Sequence, residues 1–138
     1  MTAEQIRRLR KSFHLMARRA DIAAYYFYRQ LFEMDPALRP IFKTDIELQA
    51  AKLTGMLRET LELLEQPLEW SETLRDLGAR QAEYGVKPAQ YATVATALIS
   101  MLESVLGEDF TAETRQAWVA LYRSAAETMR EGAEHALC

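Results

Sequence analysis

Apolar residues recur every three or four positions through almost the whole chain. The first such run has its apolar residues on one stripe, which consists of Ile6, Leu9, Phe13 and Met16. Arginine and lysine residues lie between them. This spacing is typical of a helix that buries one face. Thr2 and Gln5 precede the run in the pattern of a capping box, in which each side chain accepts a backbone N–H of the other residue. We therefore expect a first helix that begins at the start of the chain.

The same periodicity predicts two more helices in the first half of the chain. One covers about residues 21–33 and ends before Pro36, because the residue before a proline avoids the helical region. A short helical turn is expected over residues 36–42. Residues 44–47, with the sequence Thr-Asp-Ile-Glu, form a second capping box. This box opens a long helix that we expect to run to about residue 65.

Glycine and proline separate three further helices in the second half. Gly85 suits the left-handed residue that closes a helix, and Pro88 fits the first position of the next helix, where a missing N–H costs little. We expect Ser71 to cap the helix before this corner, Gly107 to end the helix after it and Thr111 to cap the last helix. The prediction is an all-α fold with six or seven helices around one core, and residues 1–138 form one domain.

Composition and charge exclude several classes of function. The formal net charge is −3, and the 17 basic and 20 acidic residues are interspersed, which is typical of a solvated helical surface. A nucleic-acid partner is not expected, since it would need a basic face. A membrane partner is not expected either, because we find no apolar run long enough to cross a bilayer. The single cysteine cannot form an internal disulfide, so we expect a cytoplasmic protein.

The usual catalytic and metal-binding patterns are missing from the sequence. The two histidines, His14 and His135, and the single cysteine have no metal-ligand spacing, so a zinc site is not expected. His14 lies beside the apolar stripe of the first helix and is interpreted as a surface or boundary residue. Tyr28 lies on the apolar stripe of the second helix, and a buried tyrosine needs a hydrogen-bond partner. The simplest partner would be a backbone carbonyl.

Four short segments carry a family resemblance. They are YRQLFEMDP at residues 28–36, LRPIF at 38–42, QAAKL at 49–53 and LGARQAEYGV at 77–86. These segments are similar to those of bacterial single-domain haemoglobins, in the same order and at compatible spacings. The likeness extends over about residues 6–129. It implies a globin fold whose helices surround a central haem pocket.

The resemblance assigns roles on the distal side of that pocket. Tyr28 would be the tyrosine that hydrogen-bonds a bound ligand, and Gln49 would be the second polar residue there. Phe42 would wedge against the porphyrin where the chain turns. Leu53 would be the apolar neighbour above the iron, and Lys52 would lie near the point where a haem propionate reaches solvent.

The proximal side departs from the family pattern at its most important position. Val86, Tyr91 and Val94 would line the proximal and lower walls, but Gln81 stands where the family has the histidine that ligates the iron. Neither histidine of this chain is placed to replace it. A carboxamide oxygen is a weaker donor than an imidazole nitrogen, and a tyrosine phenolate can ligate ferric iron. Tyr28 is the first candidate for such a ligand and Tyr84 a poorer one, so the axial ligand stays open.

Three functions remain open. In the first, the protein binds haem through a ligand other than histidine and takes up small diatomic molecules such as oxygen. In the second, it is a haem-free globin that binds another small molecule, or that acts in signalling by binding a protein partner, a second copy of itself included. Tyr28 and Gln49 would then bond each other across a smaller pocket. A weaker third possibility is a haem-dependent peroxidase or an enzyme that removes nitric oxide.

Overall fold

The computed structural model describes residues 1–42 and 45–136, without the side chains at positions 46, 135 and 136. Over these ranges the chain forms six α-helices, three short 3-10 segments and no strand. The α-helices are α1 (Ala3–Ala17), α2 (Ala20–Met34), α3 (Ile46–Glu62), α4 (Pro67–Glu83), α5 (Tyr91–Leu106) and α6 (Ala112–Ala136). The 3-10 segments cover Pro36–Ile41, Pro88–Gln90 and Gly107–Asp109. The all-α prediction is confirmed.

Two helix starts follow from local side-chain capping. The Thr2 N–H donates to Gln5 Oε1 at 3.0 Å, and the Gln5 N–H donates to Thr2 Oγ1 at 3.1 Å, so the predicted capping box is formed. Asp45 caps α3, because its carboxylate accepts the Glu47 N–H at 2.8 Å. The second capping box was predicted to begin at Thr44, which lies outside the described residues.

The predictions for the end of α3 and for the start of α4 are both wrong. The long helix ends at Glu62, three residues earlier than expected, and α4 begins at Pro67 rather than near Ser71. Proline is well suited to a first helical position, since the N–H it lacks has no partner inside the helix. Gln66, which precedes it, has the non-helical angles that a following proline favours. Ser71 therefore lies inside α4 and caps nothing.

The corner between α4 and α5 closes as predicted. Gly85 has a φ of 99°, a left-handed value that side chains other than glycine rarely adopt. The Val86 N–H donates to the Gln81 carbonyl at 2.9 Å and the Gly85 N–H to the Ala82 carbonyl at 3.1 Å. These two bonds make a Schellman motif, which satisfies carbonyls that the end of a helix would leave free. Pro88 then starts the segment that leads into α5.

Two close helix pairs form the frame of the molecule. α2 packs on α5, and α4 packs antiparallel on α6. The second pair crosses closely at two glycines: Gly78 lies against the backbone of Met129, and Gly132 lies against the backbone of Arg75. Trp118 is buried at the centre, and its indole N–H donates to the Ser12 hydroxyl at 2.8 Å. This bond joins α6 to α1.

One segment in the second half of the chain is long and apolar enough to cross a membrane. The segment Pro88–Asp109 has a mean hydropathy of 1.2, so by length and composition alone it could cross a bilayer. The expectation that no run reaches that length is therefore wrong by this measure. Core helices of globular proteins reach the same length and hydropathy. Here α5 buries seven side chains, among them Ala97, Met101 and Leu102, within the fold.

Candidate functional site

Tyr28 and Gln49 form a buried polar pair between α2 and α3. The Tyr28 hydroxyl donates to Gln49 Oε1 at 3.2 Å, and the two residues are only 6% and 7% exposed. Helical periodicity directs both side chains inward, because each residue lies on the apolar stripe of its helix. Burial raises the pKa of the Tyr28 hydroxyl to about 12. The phenol is therefore neutral at physiological pH and acts as a hydrogen-bond donor.

Aromatic and aliphatic side chains surround this pair. The Tyr28 ring lies 5.6 Å from the Phe42 ring and 5.9 Å from the Phe32 ring, centroid to centroid. Leu53, one turn beyond Gln49 on α3, is 6% exposed. Lys52 lies on the same helix and is exposed. A polar pair among apolar side chains can orient a small ligand that binds beside it.

The residues expected on the proximal side come from the end of α4 and the start of α5. Gln81 lies on the last turn of α4 and is half-buried, and the Schellman motif anchors its backbone carbonyl. Val86 and Tyr91 are buried, whereas Val94 is half-buried. The side chain at the position of the expected iron ligand is thus a carboxamide on a well-anchored backbone.

Tyr91 has a buried hydroxyl for which the described residues provide no hydrogen-bond partner. The residue is only 4% exposed. Burial raises the pKa of this phenol, the neighbouring Arg130 guanidinium acts to lower it, and Tyr122 acts to raise it. The indole N–H of Trp70 is the other buried side-chain group in the described part of the chain without a partner. A native fold rarely leaves such groups unpaired, and ordered water is a common partner for them.

The structure brings together some of the predicted site residues and leaves others apart. Tyr28, Phe42 and Gln49 are in one cluster, as the resemblance implied. The hydrogen bond of Tyr28 goes to a side chain rather than to a backbone carbonyl. It is also the bond that the haem-free alternative requires. The functional roles of all nine site residues stay predictions.

Other candidate features lie away from this site. His14 is exposed, and no group of metal-binding side chains occurs in the part of the chain that the structure describes. One surface pocket of about 320 Å³ lies along α6 between Arg115 and Arg123. A second, of about 160 Å³, lies between α2 and α5 beside Tyr26 and Ser104. None of the predicted site residues lines either pocket.

Sequence reasoning missed Arg130 and Phe32 as neighbours of the site. Arg130 lies eight residues after Tyr122 on α6, so the two share a face of that helix, but charged residues are frequent on every helix here. Phe32 lies four residues after Tyr28, and this spacing was a usable signal for contact. Gly78 was another available signal, since a glycine inside a helix usually has a packing reason.

Comparison with known proteins agrees with this architecture. The globin family matches residues 26–129, which is well over half of the chain. The chain is 28% identical to a flavohemoprotein of Rhizobium meliloti (strain 1021) over 107 residues, which are 75% of this chain and 27% of that protein. It is 27% identical to a neuroglobin of Tetraodon nigroviridis over 119 residues, covering 76% of this chain and 75% of the neuroglobin. The chain thus spans only about a quarter of the flavohemoprotein.

Solved structures share the fold at low sequence identity. A hexacoordinated heme protein from an anhydrobiotic tardigrade superposes with a TM-score of 0.86 at 18% identity, covering 97% of this chain and 96% of that one. An engineered carbene transferase, derived from a putative nitric oxide dioxygenase of Rhodothermus marinus, gives a TM-score of 0.81 at 24% identity. That match covers 97% of this chain and 94% of the other. With the family match over residues 26–129, these observations show that the chain belongs to the globin family.

Proposed function

We propose that this globin binds haem between the wall of Tyr28, Phe42, Gln49 and Leu53 and the opposite wall that carries Gln81, and that the iron is held by a group other than histidine. Membership of the globin family is the observation that carries the proposal. Haem, when bound, would supply an iron centre for small diatomic ligands such as oxygen.

The distal residues fit this cofactor. Tyr28 is protonated at neutral pH, as an ordinary tyrosine is, and burial raises its pKa further. Its hydroxyl can therefore donate a hydrogen bond to an acceptor that enters beside it. The Oε1 atom of Gln49 lies 3.2 Å from the Tyr28 hydroxyl and supplies a second polar group. The aromatic rings of Phe42 and Phe32 give an apolar surface against which a flat ring can pack. Lys52 is exposed and offers a positive charge to a carboxylate at the rim.

The residues of the proximal side fit haem only in part. Gln81 offers a carboxamide, whose oxygen is a weak donor compared with an imidazole nitrogen. Retention of haem would then depend more on burial of its apolar surface, which is worth about 25 cal/mol per Å². Association costs reduce this gain. We therefore expect weaker haem affinity than in a histidine-ligated globin and a higher affinity in Gln81→His.

Titration of the purified protein with haemin tests the proposal. We expect a Soret band that saturates at one haem per chain. Leu53→Glu should abolish this band, since it would place a charge in the apolar wall of the site. Leu48→Glu is the matched control, because Leu48 lies on the same helix and is 48% exposed. Circular dichroism of each haem-free variant checks that it remains folded.

The result that would overturn the proposal is a protein that stays colourless at saturating haemin. Equal haem binding by wild type and folded Leu53→Glu would also overturn it, because binding would then take place elsewhere. Gln81→His separates two causes of failure. If this variant binds haem and the wild type does not, only the ligand is missing; if both fail, the site itself is closed.

A haem-free globin is the second candidate function. The observation that favours it is the Tyr28–Gln49 hydrogen bond, which pairs the Tyr28 hydroxyl with the Gln49 amide oxygen within the protein. The low exposure of Leu53 also indicates that these walls pack closely. Such a protein would bind another small molecule or a protein partner. Failure of both wild type and Gln81→His to bind haem is the outcome that this candidate predicts.

The remaining proposals concern enzymatic activity, location in the cell, domain organisation and oligomeric state. Peroxidase or nitric-oxide chemistry would use the same polar pair, and no described residue selects either reaction. We also propose that the protein is cytoplasmic and that residues 1–138 form one domain. The single cysteine supports the first statement. A homodimer stays a prediction that sedimentation velocity would check.

A further inference from the structure

The residues that follow α2 cover one side of the Tyr28 ring. Phe42 comes directly after the 3-10 segment Pro36–Ile41, and its ring centroid lies 5.6 Å from that of Tyr28 and 6.4 Å from that of Phe32. The Tyr28 and Phe32 rings are themselves 5.9 Å apart, so the three rings are mutual neighbours. Leu38, inside the segment, is fully buried. Residues 36–42, here called the lid, therefore uncover the Tyr28 ring when they move away from α2.

Gln90 ties the base of the lid to the corner between α4 and α5. Its Nε2 atom donates to Asp35 Oδ2 at 2.9 Å, and its Oε1 atom accepts the Lys87 N–H at 2.8 Å. The other carboxylate oxygen of Asp35 accepts the Ala37 N–H at 3.1 Å, at the first turn of the lid. The two bonds of Gln90 fix the orientation of its amide, because only the nitrogen can donate and only the oxygen can accept.

The lid has two further links, and both are weaker. The Arg39 guanidinium lies 4.9 Å from the centroid of the Phe32 ring, and Arg39 is exposed, where such a cation–π contact contributes little. Ile41 faces Gly85, and an added Cβ there would only reach van der Waals distance, 4.0 Å, from its Cδ1 atom. The bond from Gln90 to Asp35 has a charged acceptor and half-buried partners, so it is the strongest of the three.

We propose that residues 36–42 open and close over Tyr28, and that the Gln90–Asp35 hydrogen bond holds them closed and so controls the entry of a ligand beside the Tyr28–Gln49 pair. Gln90 is a positioning residue, since it acts through the lid. The part of the proposal that concerns entry rests on the proposed haem binding. The part that concerns opening does not, because the haem-free chain already contains every contact of the lid.

The reactivity of a buried thiol measures how often the lid opens. In a Cys138→Ser background, Leu38→Cys introduces one thiol at a position of the lid that is 0% exposed. A soluble aromatic disulfide reagent reaches this thiol only when the lid opens. Leu102→Cys introduces the same thiol at a position of α5 that is also 0% exposed, so its rate reports opening of the core instead.

Gln90→Glu breaks the proposed link with almost no change of shape. The new carboxylate can still accept the Lys87 N–H, but it has no proton to donate and lies against the charge of Asp35. A hydrogen bond to a charged group is lost, so the Leu38→Cys thiol should react about tenfold faster in the haem-free protein. The Leu102→Cys thiol should react at an unchanged rate. Gln116→Glu adds the same charge at an exposed position of α6 and is the matched control.

A second substitution should restore the link with its direction reversed. When Asp35→Asn is combined with Gln90→Glu, the amide at position 35 can donate to the carboxylate at position 90. Labelling of the Leu38→Cys thiol should then return to near the wild-type rate. A general loss of packing at this corner would not be repaired in this way.

The same variants without the added thiols test ligand entry. Release of haem to excess apomyoglobin should be about tenfold faster from Gln90→Glu and should return to near the wild-type rate in the double variant. Unchanged release from a variant whose lid opens faster overturns control of entry. The absence of a Soret band overturns haem binding, whereas the labelling rates of the haem-free protein still decide the lid.

Three results overturn the lid itself. These are unchanged labelling of the Leu38→Cys thiol in Gln90→Glu, an equal increase at the Leu102→Cys thiol, and an equal effect of Gln116→Glu. If Leu38→Cys does not fold, hydrogen exchange of peptides that cover residues 36–42 makes the same comparison in the chain without added thiols. Exchange there should be faster in Gln90→Glu, and equal exchange in wild type and variant overturns the proposal.

Discussion

Gly78→Ala is the sharpest test of the α4–α6 crossing, because α4 carries Gln81 towards the site. An added Cβ at position 78 would lie 2.6 Å from the carbonyl carbon of Met129 and closer still to its oxygen. Real Cβ contacts are essentially never this short, and the opposing atoms are backbone rather than a flexible side-chain end. The two helices would have to move apart to accept the methyl group.

The expected magnitude follows from two opposing terms. Alanine inside a helix is favoured over glycine by about 1 kcal/mol. Overpacking costs about 1–3 kcal/mol where side chains can adjust, and more where the obstacle is backbone. Since the obstacle here is backbone, the cost lies at the upper end, about 3 kcal/mol, and the net loss is about 2 kcal/mol. This is a considerable part of the roughly 5–15 kcal/mol that stabilises a domain. Gly132→Ala should behave alike, since its Cβ would meet the Arg75 carbonyl carbon at 2.7 Å.

Urea unfolding followed by circular dichroism measures this loss. Gly55→Ala is the matched control, because Gly55 lies on an exposed face of α3 with no atom within 4 Å of an added Cβ. It should stabilise the protein by about 0.5–1 kcal/mol. If Gly78→Ala proved as stable as Gly55→Ala, the close backbone contact between α4 and α6 would not exist.

Three further predictions concern buried hydrogen bonds. Gln49→Leu should lower the free energy of unfolding by about 1–3 kcal/mol, because the Tyr28 hydroxyl would lose its acceptor; a double-mutant cycle with Tyr28→Phe checks it, and additive effects would contradict it. Stability should also fall between about pH 10 and 12, since the unfolded chain ionises Tyr28 at its usual pKa of 10.0 while the folded protein holds it neutral up to about 12. The loss is at most about 2–3 kcal/mol, and a base titration should show a smaller loss for Tyr28→Phe. Ser12→Ala should cost about 1–3 kcal/mol in thermal unfolding, because the Trp118 indole N–H would lose its acceptor; an unchanged midpoint would refute this.

The sequence predicted features that depend on neighbouring residues. The capping box at Thr2 and Gln5, the left-handed Gly85 and the proline start at Pro88 all form as expected. Each is decided within a few residues, where side-chain geometry and backbone angles act without help from the rest of the fold. The apolar stripe of the first helix was correct for the same reason, since Leu9, Phe13 and Met16 are buried and helical periodicity alone chooses that face. The prediction that Ser71 caps α4 was wrong because Pro67 is a more favourable first residue of that helix.

Contacts between distant residues were decided by the tertiary structure. The sequence could place Tyr28 and Gln49 on inward faces, but only the packing of α2 on α3 brought the hydroxyl to the amide oxygen. In the same way, only the packing of α4 on α6 brought Gly78 against the backbone of Met129. The physical reason is that periodicity selects a face of a helix, whereas the approach of two helices depends on side-chain volumes from both. Whether a hydroxyl is paired or left open is therefore a property of the assembled fold.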